Sequence, residues 1–401
     1  MRPTVLLAGT AGYGRTHLDQ LLTWHADGVI RLAALVDVNL TAETRQLAAA
    51  ADPIWARSIE EALDRTAIDL AVVATPPHTH YPLARTVLDA GIALYLEKPP
   101  VPLLQQLDAL KPVRRAEVGF QLARASIEAL EAVLADDRIG EVTRITAHGC
   151  LARPDSYYAR NAWAGSWFAD GQAVLDGPLF NPLAHIVHTA LTLARRIEPA
   201  WQPDSVEAEF YSVHEISGDD TAAIRVRSVS GPPVLAVGTT VADVVGEPSI
   251  TVHGSRGAVT VRHRDAAGFV VTDGVRSELP ALPAPVAPLL AALRDLDGAP
   301  DPLISFDAVR PFVTVVNAAV QAVGAPTSIA GRQHVVPAGD ETRRTVPGLS
   351  GLIDRVVGTG SLFGELGVPW AGPAGSIGLR GYDGLSHPAL APGRRTDREA
   401  R

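Results

Sequence analysis

Four short, uninterrupted apolar runs lie near the start of the chain, and segments with helical periodicity lie between them. The runs span residues 4–8, 32–36, 70–74 and 92–96, and the helical segments span 15–25, 42–50, 59–65 and 80–90. Continuous apolar strands of this length are typical of a parallel sheet that is covered on both faces. Because the strands alternate with helices, and a fifth follows at 116–120, we predict a doubly wound parallel sheet over residues 1–120.

A different pattern begins after Phe120. An amphipathic helix leads to a strand at 142–148, and five more strands follow without intervening helices at 206–215, 221–228, 234–241, 249–253 and 258–263. This order predicts an α+β domain over residues 121–345 with a large, open, mainly antiparallel sheet, and a helical extension over 346–372. Residues 373–401 are rich in Gly, Pro, Arg and Asp, so we expect a disordered and dispensable tail.

Composition excludes several classes of protein. The net charge of −9 disfavours a nucleic-acid partner, and a single cysteine, Cys150, can form neither an internal disulfide nor a cysteine-rich metal site. No apolar run reaches the roughly 18 residues that a membrane-spanning helix needs, and the apolar start of the chain is too short for a signal peptide. We therefore expect a cytoplasmic protein without a membrane partner.

A glycine-rich turn joins the first strand to the first helix. It comprises Gly9, Thr10, Ala11, Gly12, Tyr13 and Gly14. Backbone amides and the helix dipole at such a junction favour a pyrophosphate. Ala11 stands where the second glycine of the dinucleotide-binding motif is usual, and its methyl group could crowd the phosphates, although Gly12 lets the backbone adapt. Taken alone, the motif is equally consistent with a plain tight turn.

An acidic residue, Asp37, ends the second strand 23 residues after Gly14. A carboxylate at this point can accept hydrogen bonds from both ribose hydroxyls of an adenosine, and it would repel a 2'-phosphate. No arginine follows before Arg45. The spacing therefore predicts a nicotinamide dinucleotide site that prefers NAD to NADP; the alternative is an ordinary cap at the end of a strand.

Two further segments follow strands at the carboxyl edge of the sheet, where ligands of doubly wound folds bind. Thr75, Pro76 and His80 follow the third of the apolar runs, and Glu97 and Lys98 follow the fourth. Lys98 is one of two lysines in a chain with 33 arginines, so general surface charging does not explain it. Its amine could donate to a substrate oxygen or titrate when desolvated; the alternative is a solvated ion pair with Glu97.

Together these residues resemble the Gfo/Idh/MocA family, the relatives of glucose-fructose oxidoreductase and inositol dehydrogenase. The resemblance rests on the glycine turn with Arg15 and His17, on Asp37, on residues 75–80 and on Glu97-Lys98-Pro99, and it covers about residues 3–330. It implies a Rossmann domain that binds NAD, a Lys98 that touches substrate and nicotinamide, and a homodimer or homotetramer with the open sheet as an interface.

The resemblance also implies an Asp-x-x-x-His pair for acid–base chemistry, and the nearest match is Asn181 with His185. An asparagine can orient a hydroxyl but cannot take its proton. Because Asn181 directly precedes Pro182, its side chain could instead cap the N-terminus of a helix. At 100° per residue, Asn181, His185 and His188 share one helix face, opposite the apolar residues. We predict Lys98, Asn181 and His185 to be catalytic, and these three with His188 and Trp163 to bind substrate; no metal motif is present.

Trp163 lies with Tyr157, Tyr158 and Trp167 in one loop of a chain that is only 5% aromatic. Flat rings there could stack on a sugar, or they could pack a domain edge or a subunit contact.

We predict an oxidoreductase that transfers a hydride between the nicotinamide and a carbinol of a sugar, cyclitol or related polyol. The alternatives are a glycosidase or lyase that oxidises its substrate transiently, and a non-catalytic ligand sensor.

Overall fold

The computed structural model describes residues 2–110, 115–120, 123–264, 267–279, 289, 292–293, 296 and 304–390. The chain divides into two compact units, one of Met1–Phe120 with Val286–Arg310 and one of Gln121–Pro285 with Pro311–Arg401. The first unit is thus discontinuous in sequence, because residues 286–310 group with it rather than with the flanking chain. The sequence also predicts a helix around residues 288–296, most of which lie outside the described residues.

The first unit is a six-stranded parallel sheet in the order β3-β2-β1-β4-β5-β6. Its strands are β1 (Thr4–Ala8), β2 (Arg31–Val36), β3 (Ile54–Ala56), β4 (Leu70–Val73), β5 (Ala93–Leu96) and β6 (Ala116–Val118); its helices are α1 (Tyr13–Ala26), α2 (Ala42–Ala48), α3 (Ile59–Leu63), α4 (Pro77–Asp89) and α5 (Leu104–Ala109). All of β4 and β5 is buried, as the continuous apolar runs require, and the predicted doubly wound sheet is confirmed.

Residues far along the chain complete the core of this unit. Leu289, Ala292 and Leu293 pack in the same apolar cluster as Val5 and Leu21. The backbone of Ile304 also extends the sheet edge, since Val118 N donates to its carbonyl at 3.0 Å and its own N–H donates to Glu117 Oε1 at 3.0 Å. These contacts explain why the segment belongs to the first unit.

The second unit contains a ten-stranded sheet in the order β16-β15-β14-β13-β7-β12-β11-β10-β17, with β20 also paired to β10, and two separate two-stranded sheets, β8-β9 and β18-β19. The strands of the unit are β7 (Val142–Cys150), β8 (Phe168–Ala169), β9 (Gln172–Ala173), β10 (Ser205–Ser212), β11 (Thr221–Arg227), β12 (Val234–Thr239), β13 (Ser249–Gly254), β14 (Gly257–Arg262), β15 (Gly268–Thr272), β16 (Val275–Glu278), β17 (Thr327–Ser328), β18 (His334–Ala338), β19 (Glu341–Thr345) and β20 (Gly375–Gly378). Among the described strands of the large sheet, only the β7–β12 and β10–β17 pairs are parallel, which confirms the expected large, mainly antiparallel sheet.

Helices cover both faces of this sheet at β7 and β12. The helices are α6 (Ala123–Ala135), α7 (Asp155–Ala159), α8 (Ala184–Ile197), α9 (Phe306–Val323), which starts in the residues of the first unit, and α10 (Leu349–Thr359). Gly149 and Gly238 admit the side chain of Leu183 at the start of α8. Cys150 and Val237, on the opposite face by strand alternation, join the apolar cluster of α10 and the segment after it.

The end of the chain is more ordered than we expected. β20 pairs antiparallel with β10 from Ser205↔Gly378 to Ala208↔Gly375, and Leu379 and Leu385 are buried. The prediction of disorder from residue 373 is therefore wrong for residues 373–390, because backbone pairing at a sheet edge does not need an apolar sequence pattern. Residues 391–401 lie outside the described residues.

Candidate functional site

The glycine-rich turn follows β1 and leads directly into α1. Gly9 has a φ of +89°, and a Cβ there would lie 2.6 Å from the carbonyl oxygen of Ala74, so only glycine lets β1 and β4 approach this closely. Ala11 and Gly12 are exposed and Tyr13 is 51% exposed. At Gly12 nothing lies within 4 Å of an added Cβ, so the outer side of the turn is open to a ligand.

Asp37 is tied to this turn by three hydrogen bonds. Its Oδ2 accepts from the backbone N and from Oγ1 of Thr10, at 2.8 and 2.7 Å, and its Oδ1 accepts from Asn39 N at 2.9 Å. These bonds fix the carboxylate beside the glycine turn, as a ribose-binding acid requires. The sequence motif alone predicted no role for Thr10, although a hydroxyl inside a glycine-rich turn was an available signal.

His80 joins the two loops at the carboxyl edge of β4 and β5. Its ring is 1% exposed, with Nε2 at 2.7 Å from the carbonyl oxygen of Thr75 and Nδ1 at 2.9 Å from those of Pro99 and Pro100. Burial lowers the pKa of His80, and the three carbonyl oxygens oppose that shift. The imidazole therefore positions the backbone of both loops, while Pro76 at the start of α4 is exposed.

A buried network holds the segment that carries Lys98. Glu97 is 4% exposed; its Oε1 lies 2.8 Å from His17 Nε2 and accepts from Tyr95 OH at 3.3 Å, and its Oε2 accepts from the backbone N of Lys98 at 3.0 Å. Glu97 thus acts on the backbone of Lys98 and on α1, from which His17 projects. Lys98 itself is half-buried.

In the second unit, Asn181 is fixed by a carboxylate. Its Nδ2 donates to Asp176 Oδ1 at 2.9 Å, and Asp176 Oδ2 accepts from the backbone N of Gly165 at 2.7 Å. α8 begins at Ala184 with Leu183 as the N-cap residue, so the alternative in which Asn181 caps this helix is wrong. Asp176 thus connects Asn181 to the loop around Gly165.

The two histidines of α8 lie in different environments. His185 is half-buried, and its ring centroid lies 5.1 Å from that of His263, which follows β14. His188 is 2% exposed, and desolvation lowers its pKa to about 3. The expectation that His188 faces away from the core is wrong, because α8 is buried on nearly all sides; its role in substrate binding stays a prediction.

The two tryptophans of the loop before α8, Trp163 and Trp167, also differ in burial. Trp163 is half-buried, with the guanidinium of Arg160 at 5.2 Å from its ring centroid. Trp167 is 1% exposed, packs edge-on against Phe210 at 5.0 Å, and donates through Nε1 to Asp219 Oδ1 at 2.7 Å. Trp167 is therefore a core residue, whereas Trp163 remains available as a predicted substrate contact.

The predicted catalytic residues belong to two units. Lys98 lies in the first, and Asn181 and His185 lie in the second, so their joint action stays a prediction. Across the parts of the chain that the structure describes, no three His, Cys, Asp or Glu side chains form a group suited to a metal ion. Within the same residues, no helix combines the length and apolarity needed to span a bilayer.

The first unit fits a dinucleotide. The open turn at Gly12, the N-terminus of α1 and the anchored carboxylate of Asp37 lie at the carboxyl ends of β1 and β2, and α1 carries no acidic residue in its first turn to repel a phosphate. Thr75, Glu97 and Lys98 follow β4 and β5 at the same edge. These residues could hold the pyrophosphate, the adenosine ribose and the nicotinamide end, respectively.

Comparisons with known proteins agree with this geometry. A family model described as "Oxidoreductase family, NAD-binding Rossmann fold" matches residues 4–120, and one described as "GFO/IDH/MocA C-terminal domain" matches residues 127–260. Together the two matches cover more than half of the chain.

Among curated relatives, the putative UDP-kanosamine synthase oxidoreductase subunit of Amycolatopsis mediterranei is 29% identical over 189 residues, which are 46% of this chain and 49% of the relative. The match thus spans about half the length of that protein.

Two solved structures share the fold. The WlbA dehydrogenase from Bordetella pertussis, in complex with NADH and UDP-GlcNAcA, superposes with a TM-score of 0.63 at 22% identity, over 79% of this chain and 95% of that one. The UDP-N-acetylglucosamine 3-dehydrogenase GnnA from Acidithiobacillus ferrooxidans gives 0.60 at 15% identity, over 79% and 96%.

Proposed function

Because the chain belongs to the Gfo/Idh/MocA family of NAD-binding oxidoreductases, we propose that it is an NAD-dependent dehydrogenase acting on a carbinol carbon of a sugar, cyclitol or related polyol. The observation that carries the cofactor assignment is the carboxylate of Asp37, held beside the glycine turn by Thr10. The relatives named above include enzymes of nucleotide-linked sugars, which supports a sugar as the substrate class.

Asp37 selects between the two nicotinamide cofactors. Its Oδ2 already accepts two hydrogen bonds from Thr10 and its Oδ1 accepts one from Asn39, which fixes the carboxylate at the end of β2. Such a group accepts hydrogen bonds from ribose hydroxyls but repels a 2'-phosphate. We therefore expect NAD to bind more tightly than NADP.

Three side chains would handle the reacting hydroxyl. When bound, NAD exchanges a hydride at C4 of the nicotinamide. The ammonium of Lys98 stabilises the negative charge that develops on the substrate oxygen, and the imidazole of His185 exchanges the hydroxyl proton near neutral pH. Asn181, held by Asp176, orients the substrate and carries no proton in the reaction.

The experiment that tests this function is a substrate screen. Sugars, inositols and amino sugars, free and UDP-linked, are incubated with NAD or NADP while the nicotinamide absorbance is followed. A dehydrogenase produces NADH in proportion to the oxidised product. Product without net NADH would indicate transient oxidation, and NAD and sugar binding without turnover would indicate a sensor; either result would overturn the proposal.

A matched pair of variants tests the role of Lys98. Lys98→Ala should lower kcat at least about a hundredfold, because an interaction made mainly in the transition state is lost, while the NAD dissociation constant stays within twofold. Lys111→Ala removes the only other lysine of the chain and should leave both values unchanged. Equal turnover by Lys98→Ala and the wild type would remove Lys98 from the mechanism.

A further inference from the structure

A small cavity in the second unit lies beside the predicted substrate-binding residues. Its lining residues include Tyr157, Tyr158, Asp176, Pro178, Asp219 and Thr240, and it leaves about 10 Å³ for the centre of a water-sized group. A cavity of that size holds about one water molecule. It is therefore suited to one small functional group of a larger ligand rather than to a complete sugar.

Asp219 contributes a buried acceptor to the cavity wall. The residue is 2% exposed; its Oδ1 accepts from Trp167 Nε1 at 2.7 Å, whereas its Oδ2 has no hydrogen-bond partner among the described residues. Leaving a buried carboxylate oxygen without a partner costs about 1–3 kcal/mol or more. Gly177 lies against this carboxylate, where an added Cβ would be 3.0 Å from Oδ2 and closer still to Oδ1. The glycine thus makes room for the whole carboxylate, of which Oδ2 has an unused acceptor position.

The charges around this acceptor favour a cation. Asp176 and Asp219 both line the cavity, and none of its nine lining residues in the described chain is Lys, Arg or His. Arg160 and Arg153 contact the ring of Tyr157, at 3.6 and 5.1 Å from its centroid, but neither lines the cavity. Burial raises the pKa of Asp219 well above its usual range, reinforced by Asp220 and Asp176 and opposed by the Trp167 bond, so the negative charge of this carboxyl is disfavoured until a cation lies beside it.

The aromatic walls add to the same preference. Tyr158 is fixed by a 2.7 Å hydrogen bond between its hydroxyl and Thr240 Oγ1, and by ring contact with His214 at 4.1 Å between centroids. Tyr157 packs edge-on against Tyr158 at 5.2 Å. Because Arg160 already covers one face of Tyr157 and His214 contacts the ring of Tyr158, the ring surfaces that remain on the cavity side are those that could add cation–π attraction to an ion pair with the carboxylate.

The cavity is connected to the proposed reaction through Asp176, whose Oδ1 accepts from Asn181 Nδ2 at 2.9 Å. We infer that the cavity binds the protonated amino group of an amino-sugar substrate, with Asp219 Oδ2 as its acceptor. This inference rests on the proposed function and narrows the substrate class within it. An ammonium beside Asp219 offsets the cost of ionising that buried carboxyl, so the two groups stabilise each other's charge.

The test compares sugars that carry a hydroxyl, a free amine or an N-acetyl group at the same carbon. D-Glucose, D-glucosamine, 3-amino-3-deoxy-D-glucose and the N-acetyl derivatives of both amines are assayed with NAD, and glucose, glucosamine and N-acetylglucosamine also in UDP-linked form. N-Acetylation removes the positive charge of the amine but keeps a bulky group at the same carbon. We expect at least one free amine to exceed both its hydroxyl and its N-acetyl counterpart at least tenfold in kcat/KM, and in affinity measured by calorimetry.

Variants then assign the preference to the cavity. Asp219→Asn keeps an acceptor for Trp167 and removes the charge, and it should reduce the amine preference to within twofold. Asp170→Asn makes the same change at an exposed residue of the segment between β8 and β9, where asparagine tolerates the φ of +50°. This control variant should keep the amine preference. Thermal unfolding confirms that both variants fold.

The outcomes separate this inference from the proposed function. Turnover of neutral sugars without an amine preference overturns the inference and leaves the dehydrogenase assignment intact. Amine-selective binding without NADH formation supports the inference and overturns the assignment. No amine-dependent difference in either turnover or calorimetry in the wild type, or a preference that survives in Asp219→Asn, overturns the inference.

Discussion

Burial of His188 in α8 gives the second unit a pH-dependent stability that one substitution should remove. In an unfolded chain the pKa of a histidine is about 6.5, whereas desolvation lowers the pKa of His188 in the folded protein to about 3. Below pH 6.5 the unfolded chain therefore takes up a proton that the folded protein does not, and the free energy of unfolding falls as the pH falls. Between pH 7 and pH 5 this amounts to about 2 kcal/mol from His188 alone.

The measurement is urea unfolding of the wild type and His188→Gln at pH 7, 6 and 5, followed by tryptophan fluorescence. Glutamine does not titrate, so the unfolding free energy of the wild type should fall by about 2 kcal/mol more than that of the variant between pH 7 and pH 5. His334→Gln is the matched control, because His334 is exposed on β18, and it should keep the pH dependence of the wild type. A difference between His188→Gln and the wild type that stays constant across this range would refute the reasoning.

Three further predictions concern the cofactor site, the chain end and the single thiol. Asp37→Ala should raise the NAD dissociation constant roughly tenfold and the NADP constant much less; calorimetry that shows unchanged NAD binding would remove Asp37 from the ribose site. Truncation after residue 372 removes β20 and the buried Leu379 and Leu385, so we expect the second unit to lose about 3 kcal/mol or more, seen as a lower urea midpoint; an unchanged midpoint would contradict this. Burial raises the pKa of Cys150 to about 11, so at pH 8 its reaction with a disulfide reagent should be on the order of a hundredfold slower than that of free cysteine, unless the chain is first unfolded.

The elements of the first unit could be predicted because each central strand is a continuous apolar run. β3 was not predicted, since three residues carry no measurable periodicity. In the second unit, the strands after residue 263 were not predicted because they are only two to five residues long, and β16 and β19 are also mostly polar. Such strands are defined by pairing with a neighbour, which a single stretch of sequence does not encode.

The candidate site likewise contains some contacts that the sequence predicts and others that it does not. The glycine turn and Asp37 have a fixed spacing along the chain, and the structure places them in contact through Thr10. The contacts of Glu97 with His17 and of His185 with His263 each join residues about 80 positions apart. Helical periodicity also identified one apolar face of α8 but could not show that its other faces would be buried, which is why His188 was misassigned.

The segment that follows β19 gives the large sheet an intramolecular cover. Leu349, Ile353, Phe363 and Val368 already shield the apolar side chains of β7, β10, β11 and β12 on that face. Two copies that joined through these strands would first have to expel α10 from its own sheet. An assembly that uses this face of the sheet should therefore form through the outer surface of α10 or at β13 and β14, so this single helix restricts one route of self-association.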